Sequence, residues 1–523
     1  MGEQLEAVMP PSVPVAPGPA VGYRPWGRLV PARVARAAAV LEREAFLVVL
    51  LAIYVVGLTW NVPSQIASDT WMTLAYGREV VQHGLPSHDT LTVWAHGRTW
   101  TDQQWLGQLL FYGAYVLGGI RAALAVHVTA LAASVALAIV AARRHGGSTR
   151  SVTWLALASF VVVAWSSWTL RVQSLVFPLF VALVWLLAAD SRRPSRRVFW
   201  ALAIVVLWAN VHGTAFLAAA LVALRGASML LERDRPFRDR PFRDRRLGTA
   251  AVLLASPVLL LASPYGLSLV DYYHRLLLNP AFRQYVTEWA PTKLAIGTAP
   301  FYAVALLGVW LAGRCRSRLT LFEQAALFTT LVLALLAIRS VIWFMLAALV
   351  LLPVALDGVM SSHWGNPRYR YLNRLIAVPA PFVCAWIVGG ALVHPAGWYT
   401  RNFPPAAGNA VARVVAADPH VRVFANERFA DWLVLRHPKL RGRVAFDGRF
   451  ELLTAEELRR IVAFRVRVIG SLRPTRPYGL LVLDPATETK VAKTLLADPS
   501  RTVLYRDSHV IVIRQPASDG SAS

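Results

Sequence analysis

Apolar runs of membrane-crossing length recur along this chain, each fenced by short stretches rich in arginine. Crossing a bilayer core as a helix takes roughly 20 consecutive apolar residues. Inside that core every backbone N–H and C=O must find its partner within the protein. Runs of this kind fold as helices in lipid or not at all. Composition agrees: of 523 residues, 56% are hydrophobic and only 16% charged, and the mean hydropathy is +0.47. So little polar surface could not cover a soluble body of that size. The net charge of +25 sits in short segments between the runs. No RNA- or DNA-binding motif accompanies it, so the charge reads as cytoplasmic loops and not as a nucleic-acid surface.

Taken in order, the runs predict an α-helical polytopic membrane protein with about 11 transmembrane helices. The first lies near 45–63. The second, near 120–142, ends at Arg143-Arg144-His145. The third and fourth flank Arg171, and the fourth ends at Arg192-Arg193 and Arg196-Arg197. Five and six form a hairpin around Asn210-Val211-His212-Gly213, and six leads into a repeated RDRPF segment at 233–246. Seven occupies 249–264, and eight ends at Arg314-Cys315-Arg316. Nine and ten flank Arg339, a polar segment follows at 363–374, and eleven lies near 375–394.

Counted from a cytoplasmic N-terminus, every strongly basic loop follows an even-numbered run and faces the cytoplasm, as the Lys/Arg bias requires. One miscounted helix would invert everything after it. The predicted location is therefore the inner (plasma) membrane, multi-pass, with the N-terminus cytoplasmic and the C-terminus extracytoplasmic. Residues 1–44 read as a disordered cytoplasmic lead-in, Pro/Ala-rich and then Arg-rich, with no cleavable signal peptide. Residues 45–394 form the transmembrane domain, including outer loop 64–108. Residues 395–515 form a C-terminal extracytoplasmic α/β domain, and 516–523 a disordered tail. The RDRPF repeat reads either as contact with anionic headgroups or as a solvated linker. The two cysteines, Cys315 and Cys384, have neither disulfide nor metal spacing.

In the outer domain, Val421–Ala425, Val444–Phe446 and Gly479–Leu483 are predicted strands. Asn426–Arg436, Thr454–Ala463 and 485–497 are predicted helices. Thr454 with Glu457 has capping-box spacing, and Arg501–Arg514 reads as a hairpin turning at Asp507-Ser508. The alternation suggests a mostly parallel sheet closed by an antiparallel edge.

Outer loop 64–108 carries the densest polar chemistry: Asp69, Asp89 and Asp102 among histidines and Trp71, Trp94, Trp100 and Trp105. Asp69, soon after the first run, is placed to act as a general base or to hold a hard divalent cation such as Mg2+ or Mn2+. It could equally cap the helix that ends at Gly84. Asp89 sits in a turn-forming run and reads as structural. Asp102 opens an amphipathic segment (Trp105, Leu106, Leu109, Leu110, Tyr112) suited to the membrane interface. It is either that segment's cap or a second acidic group beside a cavity.

Arg171 and Arg339 are lone cations in outer turns, and Asn210 and His212 form the corresponding turn between five and six. Charges at that depth face a cavity or a partner, or snorkel to lipid phosphate. Several such turns opposite an acidic loop suit a lipid-linked phosphate, to which arginine offers paired donors. Loop 265–299 adds Tyr265 and the Glu288-Trp289 pair. Trp289 would stack on a sugar or anchor at headgroup level. No metalloprotease-like histidine spacing occurs, so no zinc is assigned. Asp447-Gly448-Arg449 reads as an acceptor-binding surface or as a turn with an internal Asp–Arg pair.

These segments carry a resemblance. Asp69 within Ser68-Asp69-Thr70-Trp71, the pattern G-R-x-x-x-x-x-G-x-P-x-x-D from Gly77 to Asp89, and W-x-D-x-x-W-L from Trp100 to Leu106 resemble the bacterial C-type glycosyltransferase superfamily. Trp208 to Gly213, Glu288-Trp289, the Arg339 turn and Phe446 to Glu451 are similar to segments of its members. The chain departs from some members in having Thr70, not a second acid, beside Asp69.

The resemblance implies a membrane glycosyltransferase of the cell envelope. It would move a sugar from a polyprenyl-phosphate donor to a glycan, lipid or protein acceptor, with inversion. Asp69 and Asp102 would be catalytic, and Arg339, Arg171, His212 and Asn210 would hold the donor phosphate. Trp71, Tyr265, Glu288 and Trp289 would line the substrate site. The alternatives are a lipid-linked glycan flippase, which would use the cationic turns without Asp69, and an envelope scaffold.

Overall fold

The computed structural model describes residues 39, 42–166, 169–232, 240–278, 280–360, 370–468 and 470–516. Nearly all of the lead-in, the first half of the RDRPF repeat, residues 361–369 and the final residues from 517 lie outside the described residues.

The membrane half is a bundle of apolar helices. In chain order its main members are α1 (Ala45–Trp60), α2 (Ser68–His83), α3 (Trp105–Arg144), α4 (Thr149–Ser166) and α5 (Val176–Arg192). They continue with α6 (Trp200–Val211), α7 (Ala215–Leu231), α8 (Arg240–Leu254), α9 (Ser268–Leu278), α10 (Ala299–Arg314), α11 (Leu321–Leu336), α12 (Val341–Leu351) and α13 (Pro379–Val393). By length and apolar character, four helices among the described residues are fit to cross a bilayer: Trp105–Arg144, Val172–Arg192, Ile296–Arg314 and Leu372–Val393. Others that were expected as full runs are shorter. The seventh run breaks after α8 into a 3-10 turn, Ser256–Leu261, because Pro257 lacks the N–H that would continue the helix.

Two helices of nearly the same composition end in opposite places. Every residue of α12 is buried, whereas none of α13 is, and Phe382 and Trp386 stand 72% and 82% exposed. A helix apolar all round must be buried in the bundle or face lipid. Here α12 is the central post and α13 the outermost one.

The amphipathic segment expected after Asp102 is present and precedes the second run. α3 is not one straight helix: Gly118 and Gly119 leave helical geometry, Gly119 at φ +66. A side chain at that φ would cost about 1–2 kcal/mol, so glycine lets the chain turn from an arm (105–117) into the long span (120–144). Leu110, Val116 and Leu117 are exposed on the arm, as an interfacial segment requires.

Four strands form the outer sheet: β1 (Val423–Ala425), β2 (Leu480–Leu483), β3 (Thr502–Arg506) and β4 (Ile511–Arg514), in the order β1-β2-β4-β3. β1 and β2 are parallel, and β4 joins β2 and β3 antiparallel. Around it lie α14 (Pro405–Ala417), α15 (Glu427–Arg436), α16 (Ala455–Val466) and α17 (Thr489–Leu496). Glu457 and Thr454 form the expected capping box on α16.

The sheet does not stop at β1. Ala445 N–H donates to Val423 O at 2.9 Å, while Val93 and Trp94 N–H donate to Val444 O and Ala445 O at 2.9 and 3.0 Å. Trp94 stacks on Phe446 within the outer core. Outer loop one is therefore sewn to the outer domain by backbone pairing. Arg98 reinforces the seam with two bonds to Glu457, at 2.7 and 2.8 Å.

Candidate active site

A cavity of about 380 Å3 lies where α2, the arm of α3, the outer turns of the bundle and the outer domain converge. On one side stand the polar turns. α2 is capped by Ala67, whose N–H donates to Thr70 Oγ1 at 3.2 Å. Asp69 thus sits in the first turn without capping it. Its carboxylate lies 2.6 Å from Arg171 Nε.

Arg171 also donates to Glu288. Burial alone would push the Glu288 carboxyl up, but the charge and hydrogen bond of Arg171 outweigh it and hold the carboxyl below its ordinary value. The Arg171 turn is fixed to the start of α2, since Leu170 N–H donates to Gln65 O at 2.9 Å and Thr70 Oγ1 donates to Leu170 O at 3.3 Å.

Arg339 projects from the turn between α11 and α12, its guanidinium 4.8 Å from the centre of the Trp289 ring. Ile338 N–H donates to Ala290 O, and Thr292 N–H to Leu335 O. These bonds lay loop 287–292 along that turn. Trp289 is thereby both a cavity wall and a partner for a cation. His212, between α6 and α7, is buried, and its Nδ1 accepts from Thr214 N–H at 3.1 Å. That bond puts the ring proton on Nε2 and leaves Nε2–H as a donor.

On the other side the wall comes from the arm and the outer domain. Asp102 is 2% exposed. Its Oδ1 accepts from Gln104 N–H at 3.3 Å and Gln108 Nε2 at 2.9 Å, and its Oδ2 meets no partner. α3 has Gln104, not Asp102, at its N-cap. Burial pushes the Asp102 carboxyl up to about 7, and the Glu451 charge adds to the rise. Glu451 is pushed up to about 7 as well, again by burial first.

Asp69, Asp102, Arg171, His212, Glu288, Trp289 and Arg339 thus meet in one cavity. Three other expected residues lie outside its lining. Trp71 is buried edge-on against Phe403. Tyr265 spends its hydroxyl on Pro86 O at 3.0 Å. Asn210 accepts from Trp105 Nε1 at 3.2 Å and donates to Val206 O and Ala262 O, bonds that brace the α6–α7 turn against the arm. Each has its polar or aromatic group engaged in packing, which spacing along the chain does not reveal.

The cavity also holds Gln103, Gln108 and Tyr272, which were not singled out from the sequence, and Gly448, Arg449 and Glu451 of the segment that was. The signal available was the Phe446–Glu451 segment. Its Asp–Arg pair is indeed internal, Arg449 Nε lying 3.0 Å from Asp447 Oδ2, but Arg449 also reaches Asp89 at 2.6 Å. The donor set does not fit a divalent cation. Arg171 stands between the Asp69 and Glu288 carboxylates, and no group of three or more His, Cys, Asp or Glu suited to a metal ion occurs among the described residues.

No protein-family model and no curated protein matches the chain. Among solved structures, ArnT from Cupriavidus metallidurans in the apo state matches at 17% identity and a TM-score of 0.50, covering 92% of this chain and 99% of that one. The same ArnT bound to undecaprenyl phosphate matches at 17% identity and 0.46, covering 90% and 98%. The mycobacterial arabinofuranosyltransferase AftD matches at 16% and 0.46, covering 92% and 40%. The latter two scores add nothing to the first. The likeness to ArnT extends over nearly the full length of both chains and is a likeness of fold.

Proposed function

We propose that the chain transfers a sugar from a polyprenyl-phosphate donor to a hydroxyl of an envelope glycan, lipid or protein, on the outer face of the inner membrane. The orientation follows from the basic loops, with about 11 crossings and a cytoplasmic N-terminus. The observation that carries the reading is the meeting of an acidic group, Asp69, with the cations Arg171 and Arg339 in one cavity at the ends of apolar helices.

In the proposed step the acceptor oxygen attacks the anomeric carbon as the bond from that carbon to the phosphate oxygen breaks. The acceptor proton passes to the Asp69 carboxylate. Polyprenyl phosphate leaves with its charge met by Arg171 and Arg339 and by His212 Nε2–H, donors fixed before the reaction begins. Single displacement inverts the anomeric centre. Asp102 orients the acceptor. No step passes through a metal ion.

The test is release of polyprenyl phosphate from liposomes containing the full-length protein, a polyprenyl-phosphate sugar and candidate acceptors. Asp69→Asn is expected to lower turnover by about 100-fold or more, with the thermal midpoint unchanged. Turnover retained in that variant removes Asp69 from the mechanism. Movement of the lipid across the bilayer without release would make the chain a flippase, and neither result a scaffold.

A further inference from the structure

At the far end of α11 from Arg339 and the active-site cavity, the turn that joins α10 to α11 holds an open notch of about 600 Å3. Arg314, Arg316, Ser317 and Gln324 line it beside Gly313, and no carboxylate does. Neither arginine forms an ion pair among the described residues. At the ends of α3 and α5, by contrast, the charge is met within the protein: Arg143 lies 2.8 Å from Glu44 and Arg192 2.7 Å from Glu323. Glu323, the acid nearest to the notch along the chain, is buried and held by Arg192 and His145. It leaves the two notch arginines without a counter-charge.

The turn is tied internally. Arg318 N–H donates to Cys315 O at 2.8 Å, and Gln324 Nε2 donates to Leu319 O at 2.9 Å and to Arg316 O at 3.4 Å. Two apolar stripes run into it from the bilayer. On α10, Leu306, Val309 and Trp310 are exposed and lead at helical spacing to Gly313. On α11, Leu321 and Phe328 are exposed on the face that carries Gln324. α10 packs chiefly on α4 and α12, so both stripes face lipid. A Cβ on Gly313 would meet nothing within 4 Å, which leaves the notch open where stripe and arginines meet. Trp310, one turn before Arg314, suits headgroup level.

We infer that the notch binds one anionic phospholipid of the leaflet on this side. Arg314 and Arg316 meet its phosphate, to which guanidinium forks offer paired donors, and its acyl chains lie along the two stripes. A zwitterionic lipid would bring its own positive group to the arginines and lose most of that attraction. A free phosphate would gain the charge but bury no apolar surface. The site needs neither sugar donor nor acceptor. Only its assignment to the cytoplasmic leaflet rests on the orientation proposed above.

Photoactivatable phosphatidylglycerol in phosphatidylcholine liposomes holding the full-length protein tests this, with cross-linked peptides identified by mass spectrometry. The label is expected within residues 306–328. Photoactivatable phosphatidylcholine should label that segment about ten-fold less, since each arginine near an anionic headgroup gives a preference of about five-fold. Arg314→Gln combined with Arg316→Gln is expected to lower the phosphatidylglycerol yield there by about the same factor. Gly313→Leu fills the notch while keeping both charges and should lower it as well. Both variants should keep the parent's unfolding midpoint, since the arginines are exposed and the glycine faces open space. Unlabelled phosphatidylglycerol should compete, and inorganic phosphate should not. The proposal is overturned if the segment is not labelled, if phosphatidylcholine labels it equally, if either variant keeps the parent's yield, or if inorganic phosphate competes as well as the lipid does. Absence of polyprenyl phosphate release in the liposome assay would instead sink the transferase reading and leave the lipid site standing.

Discussion

Asp102 shows how burial can set the chemistry of one side chain. Its carboxyl titrates near 7 in the folded protein against 3.8 in an exposed chain. The folded state therefore binds this proton more tightly than the unfolded state does. The contribution is fully favourable below about pH 4 and is lost as the pH rises through 7. Asp102→Asn removes the titration while keeping an acceptor for Gln104 N–H and Gln108 Nε2. The variant is expected to be more stable than the parent at pH 8, by up to about 4 kcal/mol, and close to it at pH 4. Thermal unfolding at the two pH values measures the difference, and an equal gap at both would show that the carboxyl is not buried as described. Asp69, by contrast, gains its place from a partner: Arg171 is shared between it and Glu288.

Glycines set the course of the arm. A Cβ on Gly119 would meet nothing within 4 Å, so Gly119→Ala isolates the cost of a side chain at φ +66. The expected loss is about 1–2 kcal/mol in unfolding free energy, with turnover retained. Gly107 is the opposite case. A Cβ there would strike Val172 Cγ1 and come within 3.0 Å of Val211 O. These are neighbours of Arg171 and His212, so Gly107→Ala should push the arm off the two turns that carry those residues. Turnover should fall at least ten-fold, because misplacement of catalytic groups by about 1 Å can cost a hundred-fold. Unchanged turnover would show that the arm does not set the spacing of the turns.

The outer domain and loop one form one body across more than 300 residues of sequence. Tyr76 donates to Asp431 at 2.8 Å, Arg78 donates to Val434 O and Leu435 O, and Arg449 joins Asp89 to Asp447. Arg449 is buried, and removing it leaves two carboxylates buried and unpaired. Arg449→Ala should cost about 3–5 kcal/mol, read as a lowered unfolding midpoint. Deleting the chain beyond residue 394 should leave loop one unfolded, with protease cleavage between residues 84 and 104 as the readout. A protected loop in the truncated protein would show that it folds without the sheet.

The apolar runs and their arginine fences specified a helical membrane domain, because lipid admits little else and the signal is local. Capping at Thr454, the amphipathic arm and strands β1 to β4 were readable for the same reason, whereas Val444–Phe446 forms only isolated bridges and the sheet has one parallel and two antiparallel pairings, not the mostly parallel order expected. The meeting of Asp69, Arg171, Glu288 and Arg339 was legible only as polar residues at the ends of runs. Which of them share a cavity depends on how the runs pack. Packing also sent Asn210, Tyr265 and Trp71 into structural contacts and drew Glu451 and Arg449 into the wall. Helix formation is governed by neighbours three or four residues apart, and the side of the chain by charge near each run. A site built from residues 69, 171, 288, 339 and 451 depends on side-chain fit between distant segments, which no local pattern encodes.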